Sequence, residues 1–291
     1  MIKTSQKNRS PTENLKETLT VLFTNKLALF GFCFLSLQIM LAVFAPFLSS
    51  HSFEETNLLL GASPPSTDHL LGTDDLGRDL FVRILYGSRV SLLVGFLATL
   101  VSVIIGVIYG GISGYVGGKT DLIMMRFVEV LYSLPFTFLV IMLMVLFGRN
   151  IYFLFLALGA VQWLTMARIV RGQVMSLLNQ SFVQAAQVTG ASHARILFQH
   201  ILPNTTGPII VYATLLVPAV VLEEAFLSFL GLGVQEPMAS WGTLIQNGVG
   251  AMEVYPWMLV FPSVSLVVTL MALNFIGDGL GQAINPHALK R

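Results

Sequence analysis

Gln184-Ala185-Ala186-Gln187-Val188-Thr189-Gly190, followed nine residues later by His200-Ile201-Leu202-Pro203, is the stretch from which the fold is read. It lies in a polar island, Arg168 to Pro203, between long apolar runs. The pattern predicts two short helices. Gly190 ends the first, because glycine takes the left-handed conformation at no steric cost. Ser192 caps the second, and Pro203 stops it. A helical elbow between apolar runs gives a membrane protein a structured docking surface facing water.

The composition on either side fits a membrane. The chain has 291 residues, 55% hydrophobic and 11% charged, with a mean hydropathy of +0.77. Soluble domains carry about 25% charged residues. The net charge of +1 says nothing about nucleic acid, but no basic patch interleaves with aromatics, so no nucleic-acid partner is expected. The single Cys33 excludes an internal disulfide and a cysteine metal cage, and it reads as a packing residue in an apolar run.

A membrane span needs about 20 apolar residues. Six runs contain no Asp, Glu, Lys or Arg: Leu27–Leu48, Val90–Tyr115, Val130–Phe147, Ile151–Ala167, Thr205–Leu222 and Val254–Gly277. The fourth extends toward Val170, and the fifth continues through Glu223 and Glu224 toward Phe229. The expected fold is an all-α integral membrane protein with six transmembrane helices. The first run is not a cleavable signal, because it is too long and follows a polar segment. The expected divisions are an N-terminal tail at 1–26, a first span at 27–48, an outer acidic loop at 49–88, a core at 89–280 with the elbow at 172–203, and a C-terminal tail at 281–291. A short amphipathic stretch is expected at 15–23.

Positive charge sets the orientation. With six spans, Lys3, Lys7, Arg9, Lys16, Lys26, Lys119, Arg126, Arg168, Arg171, Arg195, Lys290 and Arg291 share one side. Arg78, Arg83, Arg89 and Arg149 fall opposite. Twelve against four puts both termini and the elbow in the cytoplasm.

Gly72-Thr73-Asp74-Asp75-Leu76-Gly77-Arg78-Asp79 is denser in turn and charge signals than a solvated loop needs. Asp74, Arg78 and Asp79 can tie the loop to the mouth of the next helix by charge-assisted hydrogen bonds. Gly106, Gly110 and Gly114 form overlapping G-x-x-x-G steps and predict a close helix seam. Gly117-Gly118-Lys119-Thr120 is not a nucleotide loop, since it joins two apolar runs and position 113 is Ser113. Arg126 and Glu129 read as an i, i+3 pair, and Pro135 predicts a kink. Glu223 and Glu224 are intramembrane acids, which face a bundle interior, a partner or water. One of them is a candidate for the substrate path, contacting a cationic group. Trp241, Tyr255 and Trp257 suit a membrane interface. His51, His69, His193, His200 and His287 show no ligand spacing, so no built-in metal site is expected. No catalytic constellation is visible.

Three segments carry a family resemblance. Ala185 to Pro203 resembles the EAA loop of ABC importer permeases, with Gln184 where that loop usually has Glu. Gly72–Asp79 resembles the Gly-Thr-Asp-x-x-Gly-Arg-Asp signature of dipeptide, oligopeptide and nickel permeases of the C type. Leu227-Ser228-Phe229-Leu230-Gly231-Leu232-Gly233 with Ser240-Trp241-Gly242 resembles a third segment of the same family. The likeness covers about Gly72 to Leu280.

The resemblance implies a type I importer permease fold in a bacterial inner membrane, and a transport subunit that is not an enzyme. It implies a homologous second permease, two cytoplasmic ATPases and an external binding protein, besides membrane lipid. No cofactor is expected in this chain, and ATP and Mg would sit on the ATPases. Gln184, Ala185, Ala186, Gly190, Ile196, His200, Leu202 and Pro203 would couple to an ATPase. Ala185 and Ala186 would let the first elbow helix sit close, with Ile196, Leu197 and Phe198 as anchors. Gly72, Thr73, Asp74, Gly77, Arg78 and Asp79 would form the outer motif. Peptide is the expected cargo, with nickel or a metal chelate as the alternative. An ion-coupled secondary transporter is the alternative from a different class.

Overall fold

The computed structural model describes residues 24–49, 51–148 and 150–284. Most of the expected N-terminal tail with its 15–23 stretch, Arg149 and residues 285–291 with His287 lie outside the described residues. The elements in chain order are α1 (Lys26–Leu48), α2 (Leu80–Val116), α3 (Gly118–Tyr132), α4 (Phe136–Phe147), α5 (Ile151–Leu178) and α6 (Ser181–Val188). Then α7 (His193–Arg195) leads through a π-helical turn (Ile196–Ile201) into α8 (Leu202–Phe229), followed by α9 (Trp241–Ala251) and α10 (Trp257–Ile284). Among the described residues the only β pairing is an isolated bridge between Thr73 and Asp79. The fold is all-α.

Five helical stretches are long and apolar enough to cross a membrane: α1, α2, α5, the continuous run from His193 to Phe229, and α10. The sixth crossing is broken. Helices α3 and α4 meet at 85° across Ser133-Leu134-Pro135. The expected continuous run Val130–Phe147 is therefore corrected. A residue before proline is pushed out of the helical region, so Leu134 ends the path of α3 and Pro135 starts α4. Twelve residues of α4 reach about 18 Å, short of a bilayer's hydrocarbon core of about 30 Å.

Helix α2 also differs from expectation. It begins at Leu80, inside the expected outer loop 49–88, because Asp79 caps it: Oδ1 accepts from the Val82 N–H at 3.0 Å. Its 37 residues span about 55 Å, so polar structure projects at both ends. Helix α10 runs past the expected core boundary at 280 to Ile284.

Pro203 does not stop the second elbow helix. It lies in the first turn of α8, where a missing N–H is harmless. The preceding π turn, with the Leu202 N–H bonded to the Leu197 carbonyl, carries the chain into the membrane helix without a break. The elbow is thus rigidly continuous with α8.

The glycine seam lies between α2 and α5. A Cβ on Gly110 would collide with the Ala167 carbonyl, and one on Gly106 would come within 2.5 Å of the Met166 side chain. Gly114 faces the Arg171 carbonyl in the same way, and Gly159 on α5 approaches Ala98 and Val101. Small residues here bring two backbones together where apolar bulk gives no advantage over lipid.

Helix α1 contains Pro46, which cannot donate to the Ala42 carbonyl. Arg89 of α2 takes that place: its Nε donates to Ala42 O and its Nη2 to Val43 O at 2.9 Å. The outward face of α1, with Phe30, Phe32, Met40 and Phe44, is exposed as lipid contact requires. Cys33 lies on that exposed side rather than in the packing. Trp241, expected at an interface, is fully buried in a cluster with Leu92, Val221 and Leu273.

Candidate functional site

At one end of the bundle, the loop from residue 57 onward folds over a buried polar knot of Thr73, Asp74, Arg78, Asp79 and Arg83. Asp74 Oδ1 accepts from the Leu76 and Arg78 N–H groups, each at 3.0 Å, and its Oδ2 pairs with Arg78 Nε at 2.7 Å. Arg78 Nη2 reaches Glu236, beyond α8, at 3.1 Å. Thr73 donates to the Gly61 carbonyl at 2.7 Å, and the Trp257 indole donates to Thr73 O at 3.2 Å. Gly77, at φ +70°, lies against the Asn57 carbonyl, and Gly72, at φ +79°, against Ser63. Both positions need glycine twice over, for the backbone angle and for the space. All six motif residues from Gly72 to Asp79 serve this knot, which joins the loop to α2, to the segment between α8 and α9, and to α10.

At the other end stands the elbow. Gly190 has φ +80°. The Ala191 N–H bonds to Ala186 O and the Gly190 N–H to Gln187 O, both at 3.0 Å. That pair of bonds is the Schellman closure of α6. Ser192 then caps α7 through the Arg195 N–H at 3.4 Å. Val183, Ala186, Ile196, Leu197 and Ile201 are buried against Met166, Val170 and Val174 of α5. Leu202 packs at the margin of the same cluster. Gln184, Ala185 and Pro203 are exposed, and His200 is half-buried.

The two alanines therefore divide. Ala186 lets α6 approach the bundle, while Ala185 is exposed. Ile196 and Leu197 anchor the elbow to the bundle, whereas Phe198 and Val188 stand outward, 55% and 89% exposed.

Between the two ends lies a cavity of about 630 Å³, opening at the α3–α4 bend and lined in part by Tyr132, Gln162, Thr165, Tyr212, Leu216 and Glu223. Gln162 Nε2 donates to both carboxylate oxygens of Glu223 at 2.7 Å. Glu224 points away from the cavity. It is fully buried, accepting from Ser91 at 2.7 Å and from Ser228 at 2.6 Å. Of the two acids singled out in the sequence, only Glu223 meets the open volume.

Comparison with known proteins adds the family. Residues 102–290 match the family described as binding-protein-dependent transport system inner membrane component. The chain belongs to this family. Residues 14–65 also match the N-terminal transmembrane domain of oligopeptide transport permease C. The chain is 51% identical over 266 residues to the oligopeptide transport system permease protein OppC of Haemophilus influenzae, covering 91% of this chain and 86% of that one. It is 48% identical to OppC of Escherichia coli strain K12, covering 97% and 98%. It is 49% identical to the dipeptide transport system permease protein DppC of Bacillus subtilis, covering 90% and 82%. This permease is a multi-pass inner-membrane protein and a transport subunit, not an enzyme.

Three features of the permease escape motif reading. Gln162 has no local signal, being one amide in an apolar run. Asp121 of α3 receives Arg171 Nη2 at 2.6 Å and Ser113 at 2.6 Å, locking the α2–α3 corner to α5. Tyr115, at the end of α2, meets His193 Nδ1 at 2.9 Å and so touches the elbow directly. Charge of the right sign at Asp121 and Arg171 was visible, but their 50-residue separation hid the pairing. The pair Arg126–Glu129 is exposed at 3.1 Å on one helix face, as its spacing predicts.

Proposed function

We propose that this permease forms one half of the translocation path of an ATP-driven importer for di- or oligopeptides. The observation that carries the reading is Glu223, a carboxylate held by Gln162 on the wall of a 630 Å³ cavity. A peptide brings a cationic amino terminus, and a fixed carboxylate in a cavity lined by both polar and apolar side chains is its natural counter-charge. The names of the relatives support peptide as cargo over nickel or a metal chelate.

A homologous second permease completes the path, and an external binding protein delivers the peptide. Two ATPases in the cytoplasm bind ATP and Mg. The elbow, with Gln184, Ala185, Val188 and Phe198 outward, seats in one of them. Both termini are cytoplasmic, following the charge bias of the loops. Because α7, the π turn and α8 are continuous, a displacement of the elbow moves the helix that bears Glu223. Closure of the ATPases on ATP then shifts the cavity from inward- to outward-facing, and hydrolysis resets it. Each ligand shifts this balance only by its different affinity for the two states. Gln184 replaces the usual carboxylate by a neutral amide, so the matching ATPase position needs no cation.

The test is purification of the tagged chain from its native membrane in mild detergent, followed by mass spectrometry. Recovery of a second permease and one or two ATPases is the expected result. A folded, stable chain recovered alone would move an ion-coupled transporter to the front.

A further inference from the structure

A cluster at the knot end has no part in the path described above. His51 follows α1, His69 stands in the loop, and Asp79 heads α2. One ring nitrogen from each histidine and a carboxylate oxygen of Asp79 all lie within 4.8 Å of one another. The imidazole rings are 4.7 Å apart, centre to centre. His69 Nδ1 is 2.8 Å from Asp79 Oδ2, while Asp79 Oδ1 remains with the cap of α2. The three groups line a recess of about 110 Å³ together with Glu55 and Asn57. Among the described residues no Lys or Arg lines it, and Arg78 is turned away to Asp74 and Glu236. The recess gathers lone pairs without a fixed cation to meet them.

We propose that His51, His69 and Asp79 form a binding site for a borderline divalent transition-metal ion, of which zinc is the type. Two imidazoles and one carboxylate are a common three-residue ligand set for zinc. With bonds of about 2.0–2.2 Å, the ligand atoms of a tetrahedral site stand about 3.3 Å apart. The His69–Asp79 pair opens by about half an ångström to that spacing, and His51, whose ring nitrogen lies within 4.8 Å of the other two ligand atoms, moves inward to meet it. Glu55, on the same wall, or water supplies the fourth position. The bound ion would staple the segment leaving α1 to the head of α2. Sequence separations of 18 and 10 residues, with no short repeat, explain why spacing alone does not mark the site.

The test uses the full-length untagged chain in lipid nanodiscs, dialysed against zinc chloride and analysed for bound metal. About one zinc per chain is expected, with X-ray absorption reporting nitrogen and oxygen neighbours including imidazole. His51→Ala is the decisive variant, because among the described residues the polar and ring contacts of the His51 side chain are with Ser49 and the His69 ring. It should lower zinc affinity at least about tenfold and abolish the zinc-dependent rise in Tm seen for the unaltered chain. His69→Gln should do the same. No zinc above protein-free nanodiscs, or equal affinity in His51→Ala, overturns the proposal.

Discussion

Glu223 and Glu224 are adjacent in sequence and opposite in environment: Glu223 faces the cavity with Gln162 on its carboxylate, and Glu224 is buried between Ser91 and Ser228. Consecutive residues on a helix are 100° apart, so one side of α8 gives the path an acid and another gives the core one. Glu223→Ala should therefore leave protein level unchanged while peptide uptake falls, by roughly tenfold or more if a charge-assisted contact of about 1.5–3 kcal/mol is lost. Glu224→Ala should act on the fold. It strands two buried hydroxyls, costs about 1–3 kcal/mol, and should show as a lower Tm in detergent. Uptake kinetics at matched protein level, measured beside Tm, separate the two; an equal effect of both substitutions on uptake alone would count against the division.

Gly190 turns the elbow, and a Cβ there meets nothing within 4 Å. Substitution is opposed by backbone angle and not by space, at about 1–2 kcal/mol. Gly190→Asp should insert at near-normal level and still lose transport-coupled ATP hydrolysis in the assembled importer. Normal coupling in that variant would remove the elbow from the mechanism.

Arg89 and Pro46 form a compensating pair across α1 and α2. Arg89→Leu leaves the Ala42 carbonyl without a donor in the membrane, which should cost about 1–3 kcal/mol. Pro46→Ala restores an N–H to that carbonyl from within α1. The double variant should therefore be more stable than Arg89→Leu alone. Strict additivity in a double-mutant cycle would show that the two do not share the acceptor.

Asp74 and Arg78 are both nearly inaccessible, each about 5% exposed or less. Removing one partner of a buried pair costs about 3–5 kcal/mol, because the other charge stays behind. Asp74→Ala should sharply reduce the amount of folded chain in the membrane, and Asp75→Ala, at the next position but exposed, should not. Membrane immunoblots with limited proteolysis read the difference.

Much of this fold was legible in the sequence because lipid imposes it. Uncharged runs of the right length gave both ends of α1 and the first residues of α5, α8 and α10 to within about three residues, while α5 and α10 run on well past the expected runs to Leu178 and Ile284; the Gly106–Gly110–Gly114 spacing gave the seam. Gly190 and Ser192 were readable as corner and cap because each has a local conformational reason. Pro203 misled, since a proline that ends a helix and one that opens the next look alike until the π turn is seen. Pro135 read as a kink and proved to be an 85° break. The site was less legible. Gln162 and Glu223 are 61 residues apart, and nothing local distinguishes Glu223 from Glu224; that choice is made by the rotation of α8 against α5. His51, His69 and Asp79 were likewise joined only by the folding of the loop.

The central claim, ATP-driven peptide uptake through this permease, is tested most directly by labelled tripeptide uptake in cells that carry or lack the chain. Cellular ATP is depleted while the ion gradient is clamped. Uptake that falls to the level of cells lacking the chain is the expected result. Uptake that persists without ATP and follows the ion gradient would contradict the claim and assign the chain to ion-coupled transport.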